Sequence, residues 1–378
     1  MSVSKTYSVE ELASLDRLST VAIQNISEIV TDRARRIEGY RQDQKLLNGG
    51  IWYANEYFKL LREEVQKKPL EKKSFYQERL KTFLKEGSFY HGYVYSKDFQ
   101  MRKVNVSPRT PTGVLQNSYF VKDGVKSSDA LKNMRKGVTF TGCGETCMLG
   151  YLEAIKEFLG VEKFDKFFSS NPQEPLIIQF AYHQPSTSLF EIKETNEPLR
   201  KGQIVYILNS KMYSKKHFNG EATGFFCICC DDTPGKETFT SLGLPIRATR
   251  ESINQTLLSE FNEEPIGLDI IPEEATPFFK EEVAQSQKFK DCQITIEELK
   301  KQGGGKIVGK VDFNIQRILQ LKNSSLDQAP ILFNQFAAEE KEFVIKRIAR
   351  IKRIAMIAIG STTIVLGYFL AKMVQKFG

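Results

Sequence analysis

Histidine is scarce in this chain: His91, His183 and His217 are the only imidazoles in 378 residues. Any imidazole base must be one of the three. The six cysteines, Cys143, Cys147, Cys227, Cys229, Cys230 and Cys292, lack the regular spacing of a disulfide framework, which argues against a disulfide-stapled scaffold and fits a reducing compartment. Met1 to Leu15 lacks an apolar core of signal length, so no N-terminal signal is expected. Acidic residues are missing from residues 346–378, which hold seven Lys or Arg. Those seven carry most of the formal charge of +8 and leave +1 for the first 345 residues. The body therefore offers no general electrostatic case for nucleic acid, which is not expected as a partner. A composition of 41% hydrophobic and 26% charged residues is globular, and the length suits two domains.

The basic tail surrounds an uncharged run of eighteen residues, Ile354 to Ala371. As a helix it spans about 27 Å, close to a bilayer core. Lys346, Arg347, Arg350, Lys352 and Arg353 precede it and only Lys372 and Lys376 follow. The positive-inside bias then predicts a single-pass tail anchor, with the lipid bilayer as partner and the bulk of the chain facing the cytoplasm. Gly360, Ser361, Thr362, Thr363 and Gly367 dilute the run, and a surface-lying amphipathic helix is the alternative.

Ser8-Val-Glu-Glu11 is a capping-box pattern, followed by Leu12, Leu15, Leu18, Ile26, Ile29 and Ile37 at approximately helical spacing. A long helix to about Gln44, a second over Ile51 to Gln66 and a third ending near Gly87 make residues 1–87 a helical N-terminal region. Residues 88–250 mix helices with strand candidates: Phe89 to Tyr95, Leu176 to Tyr182, Ile204 to Leu208 and Gly224 to Cys230. Helices followed by an antiparallel sheet predict an α+β catalytic domain. Residues 251–328 are expected to be an accessory or linker region, and 329–378 a basic helix continuous with the anchor. Gly304-Gly-Lys-Ile-Val-Gly-Lys310 has phosphate-loop spacing, but Val311 stands where a Ser or Thr would meet magnesium.

The chemistry centres on Thr141-Gly-Cys-Gly144, a flexible turn that runs into Met148, Leu152, Ile155 and Leu159 at spacings of four, three and four, with Gly160 as the stop. A cysteine at the mouth of such a helix sits among unpaired N–H groups and the positive end of the dipole, which favour thiolate. Cys143 is the candidate nucleophile, against the bland alternative of a packed thiol. Backbone N–H groups around Cys143 and Gly144 are the candidate oxyanion donors. Glu221 follows Gly220 at a strand entrance, a position for an acid/base or orienting carboxylate; His217 is the competing base. Cys227-Ile-Cys-Cys230 reads as part of one buried strand rather than a metal cluster, so no metal or cofactor is expected.

These residues resemble the calcium-independent protein-glutamine gamma-glutamyltransferases of spore-forming bacteria. The similarity runs from about Val114 to Leu244. It rests on Tyr119-Phe-Val-Lys-Asp-Gly-Val, on Phe140-Thr-Gly-Cys143 with Tyr151-Leu-Glu-Ala-Ile155, on Gly202-Gln-Ile-Val-Tyr-Ile-Leu-Asn209 and on Phe218-Asn-Gly-Glu-Ala222. The resemblance implies a papain-like (NlpC-P60-like) cysteine acyltransferase core, with Cys143 as nucleophile and Glu221 as its carboxylate partner. It also implies a reaction: a Cys143 thioester formed from a protein glutamine and captured by a lysine amine, or by water in deamidation. The partners it implies are proteins with accessible Gln and Lys. Two departures stand out. Gly142 occupies the position of the family's acidic residue, with Glu145 two residues beyond the cysteine as its nearest substitute. The family's strand histidine has no counterpart in Thr238-Phe-Thr-Ser-Leu-Gly-Leu244. The competing functions are a cysteine peptidase using His217 or His183, and a membrane-tethered interaction protein of weak activity.

Overall fold

The computed structural model describes residues 7–43, 50–53, 59–60, 98–102, 105–106, 114–115, 118–136, 138–168, 177–178, 188–218, 222–265 and 277–339. In chain order the elements begin with α1 (Val9–Asp43), β1 (Gly50–Tyr53), β2 (Phe99–Arg102), β3 (Asn105–Val106), β4 (Val114–Leu115) and β5 (Ser118–Val121). Next come α2 (Ser127–Lys136), β6 (Val138–Thr141), α3 (Cys143–Leu159), α4 (Val161–Phe168), β7 (Ile177–Ile178), β8 (Phe190–Lys193) and β9 (Ile204–Leu208). They are followed by α5 (Tyr213–Lys216), β10 (Gly224–Asp231), β11 (Thr238–Thr240), β12 (Ala248–Thr249), α6 (Arg250–Asn262), α7 (Pro277–Phe289) and α8 (Ile296–Lys301). The last are β13 (Ile307–Phe313), α9 (Ile315–Asn323) and a 3-10 turn at Leu326–Gln328. Residues 329–339 are helical.

Helix α1 starts where its capping residues predict: Ser8 Oγ accepts from Glu11 N at 3.1 Å, and Ser8 N donates to the Glu11 carboxylate at 2.6 Å. Its apolar stripe, Leu15, Leu18, Ala22, Ile26, Ile29 and Val30, is buried in the same core as α3. The two helices approach closely because α3 offers Gly150, where an added Cβ would lie only 2.4 Å from Ile26 Cγ1. Helix α1 is therefore laid against the core. Ile51 was expected to open a second helix. Instead Gly50–Tyr53 is a strand paired in parallel with β6, a four-residue partnership that outweighs the local helical pattern. The third expected helix, the Phe89–Tyr95 strand and most of Leu176 to Tyr182 lie outside the described residues.

The main sheet has the order β12-β11-β10-β9-β13-β8, and every neighbouring pair is antiparallel. The α+β expectation holds for this sheet and its helices. Strand β13, from the stretch expected to be accessory, inserts between β9 and the edge strand β8. Helix α3 is fastened there by Tyr151, whose ring stacks on Phe313 with centroids 3.9 Å apart. Its hydroxyl donates to Gly202 O at 2.5 Å and accepts from Ile204 N at 3.2 Å. The helix ends at Gly160, whose φ of 84° suits glycine and whose N–H closes on Lys156 O.

The expected C-terminal transmembrane helix does not stand, nor do the tail anchor and membrane localisation drawn from it. Among the described residues no helix is long and apolar enough to cross a membrane. The run from Ile354 to Ala371, on which the expectation rested, lies outside the described residues.

Candidate active site

Cys143 is the first residue of α3. The helix is preceded by Gly142 as N-cap, and no side chain caps it. The turn is held from inside instead. Thr146 Oγ1 donates to Gly142 O at 3.0 Å, its N–H reaches the same carbonyl at 3.2 Å, and its hydroxyl meets that of Thr141 at 2.8 Å in a buried contact. Threonines on both sides of the glycine thus brace the turn through a carbonyl and each other, without taking up the first-turn N–H groups as a capping side chain would. The cysteine sits in the first turn, where N–H groups and the helix dipole stabilise negative charge. Gly144, the second residue of the helix, is buried beside it.

The second contribution comes from the edge of β10. Strand β11 ends at Thr240, opposite Ile228, two residues short of Phe226. Side chains take over where the partner strand stops. Phe226 N donates to Cys143 Sγ at 3.4 Å, Cys147 Sγ donates to Phe226 O at 3.5 Å, and Ser241 Oγ donates to the same carbonyl. On the other side of β10, Phe226 pairs with Tyr206. Their rings are 4.4 Å apart, and Tyr206 OH meets Thr223 Oγ1 at 3.1 Å. The Cys143 sulfur is thereby held between a helix N-terminus and a backbone N–H, both of which favour thiolate.

The other thiols contrast with it. None of the six cysteines is in a disulfide. Burial pushes Cys147 and Cys227 well above the ordinary thiol value, Cys229 up to about 12, and Cys230 upward as well. A thiol that stays protonated is a poor nucleophile, so burial sets these four apart from the half-buried Cys143. Cys227 and Cys229 face one core and Cys230 the other, as strand alternation requires. Among the described residues no group of three or more His, Cys, Asp or Glu is arranged to hold a metal ion.

Glu145 lies in the first turn of α3. Burial raises its carboxyl above the ordinary range, while its own N–H and that of Gly142 pull the other way. It is thus a carboxyl at the helix mouth with enhanced proton affinity. Glu221, expected as the carboxylate partner, lies outside the described residues, as do His91 and His183.

His217 is placed for a structural task. It follows α5 as a buried residue, its Nε2 is 2.9 Å from Phe261 O, and its ring stacks on Tyr213 at 4.5 Å. Burial lowers its pKa from 6.5 to about 4. Folding thus removes a proton that the unfolded chain binds below pH 6.5. The stability this contributes is complete above that pH and is lost as pH falls toward 4, about 3 kcal/mol in all. Urea unfolding from pH 7 to 4 should show that loss in the wild type and a shallower dependence in His217→Gln. Equal slopes would remove His217 from the account.

Ser241 and the Phe226 N–H were not anticipated from sequence. A backbone donor has no residue type to mark it, and Ser241 acquires its place only through the point at which β11 stops. Compared with protein-family models, curated proteins and solved structures, the chain matches none. The transglutaminase resemblance and the papain-like core it implied therefore gain no support from these comparisons, and a functional assignment rests on the site.

Proposed function

We propose that this chain is a cysteine-dependent acyltransferase that takes the acyl group of a protein glutamine side chain and passes it to an amine, with Cys143 as nucleophile. One observation carries the proposal: the Cys143 sulfur at the uncapped mouth of α3, with Phe226 N–H 3.4 Å away. The thiolate attacks the glutamine carboxamide carbon and a C–S bond forms. N–H groups of the first turn at Cys143 and Gly144 receive the developing oxyanion. The C–N bond then breaks, and the nitrogen leaves as ammonia after taking a proton. Glu145, with its raised carboxyl pKa, is the described group suited to hold that proton. Glu221 keeps the role its sequence position suggests. An amine attacks the thioester, forming an amide and returning the thiol; water in its place gives glutamate.

Of the two histidines the peptidase alternative could use, the His217 ring is engaged with Phe261 and Tyr213, and His183 lies outside the described residues. The test uses the full chain with a glutamine-rich protein and a labelled primary amine. Incorporation of label with release of ammonia is expected. Ammonia without incorporation would reassign the chain as a deamidase, and neither product from folded protein would reject acyl transfer.

A further inference from the structure

Phe226 is the point where the sheet and α3 meet, and three side chains act on its main chain. Its N–H reaches Cys143 Sγ, and its carbonyl receives the Ser241 hydroxyl and, at 3.5 Å, the Cys147 thiol. In an antiparallel strand the N–H and C=O of one residue point to the same side. Whatever holds the carbonyl therefore aims the N–H. On its β9 side Phe226 is paired with Tyr206. On its other side β11 has ended, and Ser241, the next residue, is fully buried with its hydroxyl on the Phe226 carbonyl. The register of Ile228 against Thr240 puts it there.

We propose, resting on Cys143 as the nucleophile, that Ser241 is a positioning residue that tunes the Cys143 thiol through the Phe226 peptide. Cys147 assists as a second donor to the same carbonyl. Neither side chain reacts: the hydroxyl keeps Phe226 extended, and the N–H then remains directed at the sulfur. Without the hydroxyl the carbonyl loses its O–H donor, and the Cys147 thiol is a weaker one. The φ and ψ of Phe226, which link the carbonyl's peptide plane to that of the N–H, are then free to change, and the thiolate loses a hydrogen bond.

The readout is the pH dependence of iodoacetamide alkylation of the full chain, resolved at the Cys143 peptide by mass spectrometry. In Ser241→Ala the midpoint rises by about half a unit to one unit, a threefold to tenfold slower reaction near pH 7. The high-pH plateau stays close to that of the wild type. A mere loosening of the fold would instead raise the plateau and expose Cys147. Ser241→Thr keeps the hydroxyl and the wild-type midpoint. An unchanged midpoint in Ser241→Ala, or an equal rise in Ser241→Thr, would overturn the proposal. Should Ser241→Ala not fold, Cys147→Ala removes the other donor, and its midpoint must rise in the same direction or the proposal fails. The wild-type curve separates this from the assignment beneath it. A Cys143 midpoint at or above about 8.5, the ordinary thiol value, would remove Cys143 as an activated nucleophile.

Discussion

Cys143→Ala should lower amine incorporation at least about a thousandfold, because the proposed thioester forms on this sulfur and the uncatalysed step it replaces is slow. The loss should come without loss of fold. Cys143 is only half-buried, and its sulfur accepts a hydrogen bond from Phe226 N. Removing that bond costs about 1–2 kcal/mol. A thermal melt close to the wild type beside a lost turnover would therefore assign the effect to chemistry. The other cysteines supply the control. Cys147 lies four residues on in the same helix but is buried and held protonated. Cys147→Ala should therefore retain most of the turnover, losing only what its contact with Phe226 contributes. If Cys143→Ala kept even a tenth of the wild-type rate, covalent catalysis at this position would be excluded.

The largest effect on stability is expected at the other end of the same sheet. Asp312 in β13 is 1% exposed. Its carboxylate accepts from Arg200 Nε at 3.0 Å, from Arg200 Nη2, from Gln203 Nε2 at 3.0 Å and from Phe313 N at 2.7 Å. Arg200 in turn reaches Ser19 Oγ in α1 at 3.1 Å and Lys201 O at 2.8 Å. The pair thus ties the long N-terminal helix to the sheet strand on which Tyr151 of α3 also rests. Attraction from the Asp312 carboxylate offsets burial and raises the Arg200 pKa. Asp312→Ala leaves a guanidinium and an amide facing a cavity, and should cost about 3–5 kcal/mol. Equilibrium urea unfolding measures this directly. An Asp312→Leu, Arg200→Met double variant, which removes both charges and fills the space, should recover a large part of the loss. If it does not, the network matters for more than the pairing of its charges.

What could be read from the sequence follows the range of the interactions involved. Helix α3, its glycine stop and the thiol at its mouth were legible because Met148, Leu152, Ile155 and Leu159 carry their period within one element. Strands β9 and β10 were legible because continuous apolar runs need no partner to be noticed. Local pattern fails where pairing is distant. Gly50–Tyr53 becomes a strand because Val138–Thr141 lies beside it, and β13 enters the sheet between β9 and β8, strands about a hundred residues earlier. His217 looked like a base because imidazole is scarce; its bond to Phe261 O depends on α6, which no spacing around residue 217 announces. The contact that defines the site is of the same kind. A backbone N–H at Phe226 meets Cys143 only because β11 is short.

The most direct measurement is capture of the acyl-enzyme. The full chain is mixed with a glutamine-containing peptide in the absence of amine, quenched in acid and digested for mass spectrometry. The account predicts an adduct of the peptide less ammonia, about 17 Da below the simple sum, on the fragment bearing Cys143 and released by hydroxylamine. Folded protein with no adduct, or an adduct on another cysteine, would contradict it.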